Sequence, residues 1–232
     1  MMRYNKAILI LLLFSFTMFL CSCKAVKDAV PSEPRTIVFD DRVYSEVEQE
    51  TVQALSLTVE SSEGLTAIGE AEDQESGSSL KAFIYPDTRY PNLIVICIDD
   101  QPKIYQFSNF KSSYCADIEE VKNIYGFKNS EAISKISVSK QNVYSMIGDE
   151  HLITDRVAIN SFYEALNSLK PISEGYREEV DSLLFPSYYL KIYLSNGFSL
   201  TVEYYPQLEH LYHGNTFYTY EKAMSSWLAS HT

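Results

Sequence analysis

The positions of apolar and polar residues divide this chain into stretches of different character. Ala7 to Leu20 carries no charge and is apolar on every side, with no amphipathic stripe. From Thr36 to Phe110 the apolar segments are short and read mostly as β. Ile37-Val38-Phe39, Leu80 to Tyr85, Leu93 to Ile98 and Lys103 to Phe107 predict strands, with a turn at Asp99-Asp100-Gln101-Pro102. Ser45 with Glu48 fits a capping box before a short helix, whereas Leu55, Leu57 and Val59 alternate as a strand does. The acidic Ser- and Gly-rich stretch Ser61 to Ser79 reads as an exposed loop or hairpin.

Beyond Ala116 the period changes. Ile118, Val121, Lys122 and Tyr125 share one helical face, and Gly126 is a natural stop. Ile136 and Val138 suggest a strand. Thr154 can cap a helix with the face Ile159, Phe162, Tyr163, Leu166 and Leu169, ended by Pro171. Tyr188 to Leu194 and Phe198 to Tyr204 flank Ser195-Asn196-Gly197, and Asn-Gly predicts a hairpin whose two turn residues take positive φ. His213-Gly214-Asn215 repeats the device between Leu208–Tyr212 and Thr216–Tyr220, before a last helix with Met224, Trp227 and Leu228 on one face. The expected fold is α+β: a four-strand antiparallel meander packed against two or three helices.

The start of the chain adds location. Arg3 and Lys6 precede the 14-residue run from Ala7 to Leu20, too short to span a bilayer but right for a secretory signal. Its end, Leu20-Cys21-Ser22-Cys23, resembles the lipobox of bacterial lipoproteins. Leu20 stands at −3, Ser22 at −1, and Cys23 is the residue to be lipidated. The resemblance implies a cleaved signal (1–22), acyl chains on Cys23 and anchoring at the extracytoplasmic face of the cell membrane. It covers about the first tenth of the chain and carries over no functional residue. Two acyl chains hold stably where one does not. Residues 23–35, with Pro31 and Pro34, read as a tether; a β-rich section (36–115) and an α+β section (116–232) follow, with one core or two left open.

Loss of Arg3 and Lys6 takes the formal charge from −12 to −14, which argues against nucleic acid and against binding to anionic lipid through charge alone. Cys97 and Cys115 are the two cysteines left; they could be bridged after export, although the apolar run around Cys97 also suits a buried thiol.

No motif for catalysis, calcium or phosphate binding stands out, and no cofactor is expected. His210 and His213 form E-H-x-x-H with Glu209, a weak metal candidate; in a strand the two rings would point to opposite faces, so ordinary surface histidines are favoured. Gly148-Asp149-Glu150-His151 reads as a polar turn. The acid pairs Asp40-Asp41, Asp99-Asp100, Glu119-Glu120 and Glu178-Glu179 are too close in sequence to flank a scissile bond.

The anomaly is 18 tyrosines, eight of them in the C-terminal sheet. Tyr189, Lys191 and Tyr193 share the face opposite the core-forming Leu190, Ile192 and Leu194, and form a candidate contact surface. The reading is a non-catalytic binding module for an envelope protein, a peptide or a glycan. A sensor or accessory subunit of a membrane complex is the alternative. A cell-envelope hydrolase would need His210 or His213 to converge with Glu203 or Glu209.

Overall fold

Pairs of aspartates make two of the turns in this protein. A computed structural model describes residues 34–111, 114–140, 150–172 and 187–232; the leader, Cys23 and the tether up to residue 33 lie outside these residues. Strands β1 (Thr36–Phe39) and β2 (Arg42–Glu46) are joined by Asp40-Asp41, at φ 52° and 57°; β5 (Leu93–Ile98) and β6 (Gln101–Phe110) are joined by Asp99-Asp100, at φ 50° and 61°. Two successive positive φ values give a type I′ turn, whose twist suits a hairpin, and Asp tolerates that region better than most residues. Two acid pairs are thereby accounted for as turns.

With β3 (Ala67–Asp73) and β4 (Ser79–Ile84), these strands close a six-stranded antiparallel barrel in the order β1-β2-β6-β5-β4-β3. The seam is β1 on β3, with only Ile37 opposite Asp73 and Val38 opposite Glu72. A barrel of so few strands has a narrow interior. The aromatics Tyr44, Tyr105 and Phe107 come from β2 and β6, while β3 and β4 contribute the small Ala71 and Ala82 to the same core. Leu93 to Ile96 is buried at every position. Ile94 and Ile96 belong to the main core, whereas Leu93 and Val95 belong to a second cluster with Leu57, Tyr85, Tyr90 and Phe198, to which Val52 of α1 (Gln49–Ala54) and Leu55 at its C-terminal cap add.

The second sheet has seven strands in the order β8-β7-β10-β11-β12-β13-β9: β7 (Ile133–Lys140), β8 (Glu150–Ile153), β9 (Lys170–Pro171), β10 (Tyr188–Leu194), β11 (Ser199–Tyr205), β12 (His210–His213) and β13 (Thr216–Thr219). Three helices contribute to its core: α2 (Ile118–Tyr125), α3 (Arg156–Leu166) and α4 (Lys222–His231). The α2 helix begins at Asp117, whose carboxylate accepts from Glu120 N, and ends at Gly126 in the left-handed region. One contiguous core runs from Ile37 and Phe107 of the barrel through Tyr125 to Leu190, Ile192 and Trp227. Residues 34 to 232 form one compact unit.

The expected α+β architecture is therefore corrected. Among the described residues the protein is mostly antiparallel β, 43% strand against 22% helix, with a closed barrel beside a second sheet of seven strands rather than four. The main cause is β3. Its sequence AIGEAED offers almost no apolar alternation, because its core positions face large aromatics and need little volume. Of the loop or hairpin expected at Ser61 to Ser79, the structure shows the hairpin: β3 turns back into β4, and both strands belong to the barrel. Smaller corrections follow the same local logic. Ser45 lies in β2, and the short helix starts after Glu48 without a side-chain cap. Leu57 is a buried loop residue rather than part of a strand. The cap of α3 is Asp155 instead of Thr154, with Ala158 N donating to it. Glu150 and His151 belong to β8 instead of a turn, while Gly148 and Asp149 lie outside the described residues.

Candidate functional site

The β10–β11 hairpin carries the site. Its loop is Ser195-Asn196-Gly197, in which Gly197 N donates to Leu194 O, Leu194 N donates to Phe198 O and only Gly197 takes positive φ (93°). That is the three-residue loop with glycine in the left-handed position, not the two-residue turn expected from Asn-Gly. The two-residue form occurs at Gly214-Asn215, where both residues are at positive φ (54° and 70°) between paired His213 and Thr216. The register set by the first loop places Tyr189 opposite Glu203, Lys191 opposite Thr201 and Tyr193 opposite Ser199. Directly opposed residues share a face. Tyr189, Lys191 and Tyr193 therefore stand beside Glu203, Thr201 and Ser199.

Ser199, Thr201 and Glu203 form one side of a cleft of about 620 Å³ between the barrel and the second sheet. The opposite side is Ser45, Glu46, Gln106 and Asn109 of β2 and β6, with Glu48 and Thr51 at α1. Phe107, Tyr125, Leu200 and His213 contribute the most buried part of the lining. Three connections hold the two sides together. Phe110 N donates to Gly214 O (3.1 Å), Asn215 Nδ2 donates to Phe110 O (2.6 Å), and Arg42 bonds Glu120 (2.8 Å).

The charges are segregated. Glu46, Glu48 and Glu203 line the cleft, with no Lys or Arg among its described lining residues. Glu46 is paired with Lys103 at 2.7 Å. Glu203 accepts from the Tyr205 hydroxyl at 2.7 Å, and burial followed by this bond raises the pKa of that phenol. On the β10 side, Lys135 and Lys191 sit over the Tyr193 ring at 4.4 and 5.1 Å. Burial, and then Glu203, raises the pKa of Tyr189.

His210 and His213 stand at the two ends of β12, three residues apart, and so point to opposite faces of the sheet. His210 packs near Phe217, in the group with Tyr205 and Tyr212, whereas His213 packs near Tyr125. The two rings do not converge on one point. Both are buried, at 9% and 8% exposure, which corrects the expectation of surface histidines. The Nδ1 of His213 lies 2.7 Å from Thr201 O, and a carbonyl can only accept, so Nδ1 carries the proton. Burial lowers the pKa of His213 and keeps the ring neutral.

Cys97 and Cys115 are free thiols, the first half-buried and the second donating to Ile172 O at 3.3 Å. Among the described residues no group of three or more His, Cys, Asp or Glu could hold a metal ion, and no helix is long and apolar enough to cross a membrane. Glu178-Glu179 lies outside the described residues. Nothing local in the sequence marks Glu46, Glu48 or Gln106 as cleft partners of Thr201; only the packing of the barrel against the second sheet brings them to one cleft. Comparison with protein-family models, curated proteins and solved structures found no match.

Proposed function

We propose that this chain is a lipid-anchored extracytoplasmic binding protein. Acyl chains on Cys23 would hold it to the cell membrane, and it would act by capturing an envelope protein, a peptide or a glycan rather than by catalysis. One observation carries the binding reading: the register pairs the Tyr189–Lys191–Tyr193 face with the Glu203–Thr201–Ser199 row that lines the cleft. An aromatic platform and a polar recess so become one continuous surface, and a few polar groups in a concave site are what fix ligand orientation.

Anchoring is tested by metabolic labelling with a radioactive fatty acid. Wild-type protein should carry label and stay with the membrane fraction, and Cys23→Ala should lose both; label retained by Cys23→Ala would overturn the anchor. Binding is tested by crosslinking in the native envelope with wild type, Tyr189→Ala/Tyr193→Ala and Thr201→Trp, the last of which fills the recess. Adducts present in wild type and lost in both variants support the surface. Adducts unchanged in both variants sink it.

A further inference from the structure

Glu203 stands between an aromatic ring and a polar recess. One of its oxygens accepts from the Tyr205 hydroxyl, and the other accepts no hydrogen bond among the described residues. Tyr189 is directly opposite on β10 and half-buried. Opposed residues share a face with their Cβ atoms about 5 Å apart. Among the described residues no aromatic ring and no cation covers the Tyr189 ring, and its hydroxyl makes no hydrogen bond. Its neighbours differ: Tyr193 lies under Lys135 and Lys191, and Tyr212 packs on Phe217. Burial, and then Glu203, raises the pKa of Tyr189, so the phenol keeps its proton and both donates and accepts. On the other side of Glu203 the recess is lined by the hydroxyls and amides of Ser45, Thr51, Gln106, Asn109, Ser199 and Thr201. Each of these side chains also donates and accepts. The large apolar members of the lining, Phe107, Tyr125 and Leu200, are nearly closed to solvent, at 1%, 4% and 4% exposure.

These groups select among ligand classes. With no Lys or Arg in its described lining, the recess has nothing to pair with a phosphate, a sulfate or a carboxylate. With its large apolar side chains closed, it has no pocket for the anchor residues that hold a folded partner or a peptide. A saccharide matches what is present. Its hydroxyls donate and accept, as those of the lining do. The C–H face of its ring, polarised by the neighbouring oxygens, packs on the negative face of an aromatic ring. The geometry points to a neutral oligosaccharide, with one sugar ring stacked on Tyr189, its hydroxyls donating to the open Glu203 oxygen, and the next sugar in the recess. The volume of about 620 Å³ suits a ligand of that size. This inference rests on the binding function proposed above and narrows it to one ligand class. A cationic ligand drawn by the carboxylates alone would not need the Tyr189 ring, and that difference separates the two cases.

The experiment uses the full lipidated protein in a detergent without a sugar headgroup, and saturation-transfer NMR. The probes are the neutral tetrasaccharides of glucose and of N-acetylglucosamine, the cationic tetramer of glucosamine, the anionic tetramer of galacturonate and an uncharged Gly-Ser decapeptide. At least one neutral tetrasaccharide should bind and take up saturation most strongly at its ring C–H protons; the galacturonate tetramer and the decapeptide should not bind. Tyr189→Ala should weaken binding about tenfold, whereas Tyr189→Phe, which keeps the ring, should weaken it no more than about threefold. Thr201→Trp should abolish it. Equal losses in Tyr189→Ala and Tyr189→Phe would show that no sugar stacks on the ring and overturn the inference. So would a galacturonate tetramer that binds as well as the neutral ones, a glucosamine tetramer that binds where neither neutral one does, or binding untouched by Thr201→Trp. If the decapeptide binds and no saccharide does, the saccharide falls while the binding surface stands. If no probe binds, the saccharide falls as well, and the surface stands only where the envelope adducts are still lost in Thr201→Trp.

Discussion

The Arg35 guanidinium donates to the Asp73 carboxylate at the point where the barrel closes. The seam has only two paired positions, so this ion pair and the bond from Gln74 N to Thr36 O hold much of it. The Asp73 side chain is 1% exposed and also accepts from the Ser76 hydroxyl and from Glu75 N.

Those donors, Arg35 first and Ser76 second, hold the Asp73 carboxyl far below the usual carboxylate range. A depressed folded-state value contributes stability that is fully present above the unfolded value near 3.9 and is lost as pH falls toward the folded one. Asp73→Asn should therefore lower stability on the order of 2 kcal/mol at neutral pH. It should also flatten the fall in urea midpoint below about pH 4. Urea melts between pH 2 and 7 test this; a variant that tracks wild type throughout would show that the seam does not depend on the pair.

The Gly197 turn touches the barrel side of the molecule. A Cβ there would come within 2.5 Å of Leu55 Cδ2, and φ is 93°. Gly197→Ala combines backbone strain with displacement of Leu55, and should cost about 1 to 2 kcal/mol. Leu55→Ala in the same chain should recover part of the loss, as read from the coupling in a thermal-melt cycle. Additive effects would mean that the contact is not made.

Glu120 joins the barrel to α2. One of its oxygens accepts from Arg42 at 2.8 Å and the other from the Tyr114 hydroxyl at 2.7 Å. The Glu120 bond, and then burial, pushes the Tyr114 phenol up to about 12. A raised phenol value contributes stability present below pH about 10 and lost as pH rises toward 12. Glu120→Gln should move the Tyr114 ionisation down toward 10, seen as the ultraviolet difference against Tyr114→Phe. The Arg42/Glu120 double-mutant cycle should give a coupling of about 1 kcal/mol.

Trp227 ties α4 to α3. Its indole N–H donates to Ala158 O at 2.9 Å, and its ring lies 4.7 Å from that of Phe162. Trp227→Phe should cost about 1 kcal/mol through the lost bond. Trp227→Ala should cost about 3 to 5 kcal/mol through the cavity. Calorimetry distinguishes them; similar costs would mean that the cavity collapses.

Much of the C-terminal half could be read residue by residue. The faces of α2, α3 and α4 follow from helical spacing, and the burial of Leu190, Ile192 and Leu194 against exposed Lys191 follows from strand alternation. The candidate surface Tyr189–Lys191–Tyr193 was visible for the same reason. Its partner row was not, because Glu203, Thr201 and Ser199 become its neighbours only through the register, and Glu46 and Glu48 become theirs only through packing.

By itself, then, the sequence determined the local periods, the turn residues and the lipobox-like start, all of which depend on neighbours a few positions apart. Tertiary structure alone decided the barrel, whose seam joins Ile37 to Asp73, and the cleft, which brings Glu46 near Glu203. Such contacts close long loops, and the side chains that accept them are selected by the volume left by distant partners. Ala71 and Asp73 carry no strand signal of their own. Ala71 suits β3 because Tyr44, Tyr105 and Phe107 already fill much of the space within the barrel, and Asp73 suits it because Arg35, Ser76 and Glu75 N satisfy its carboxylate at the seam.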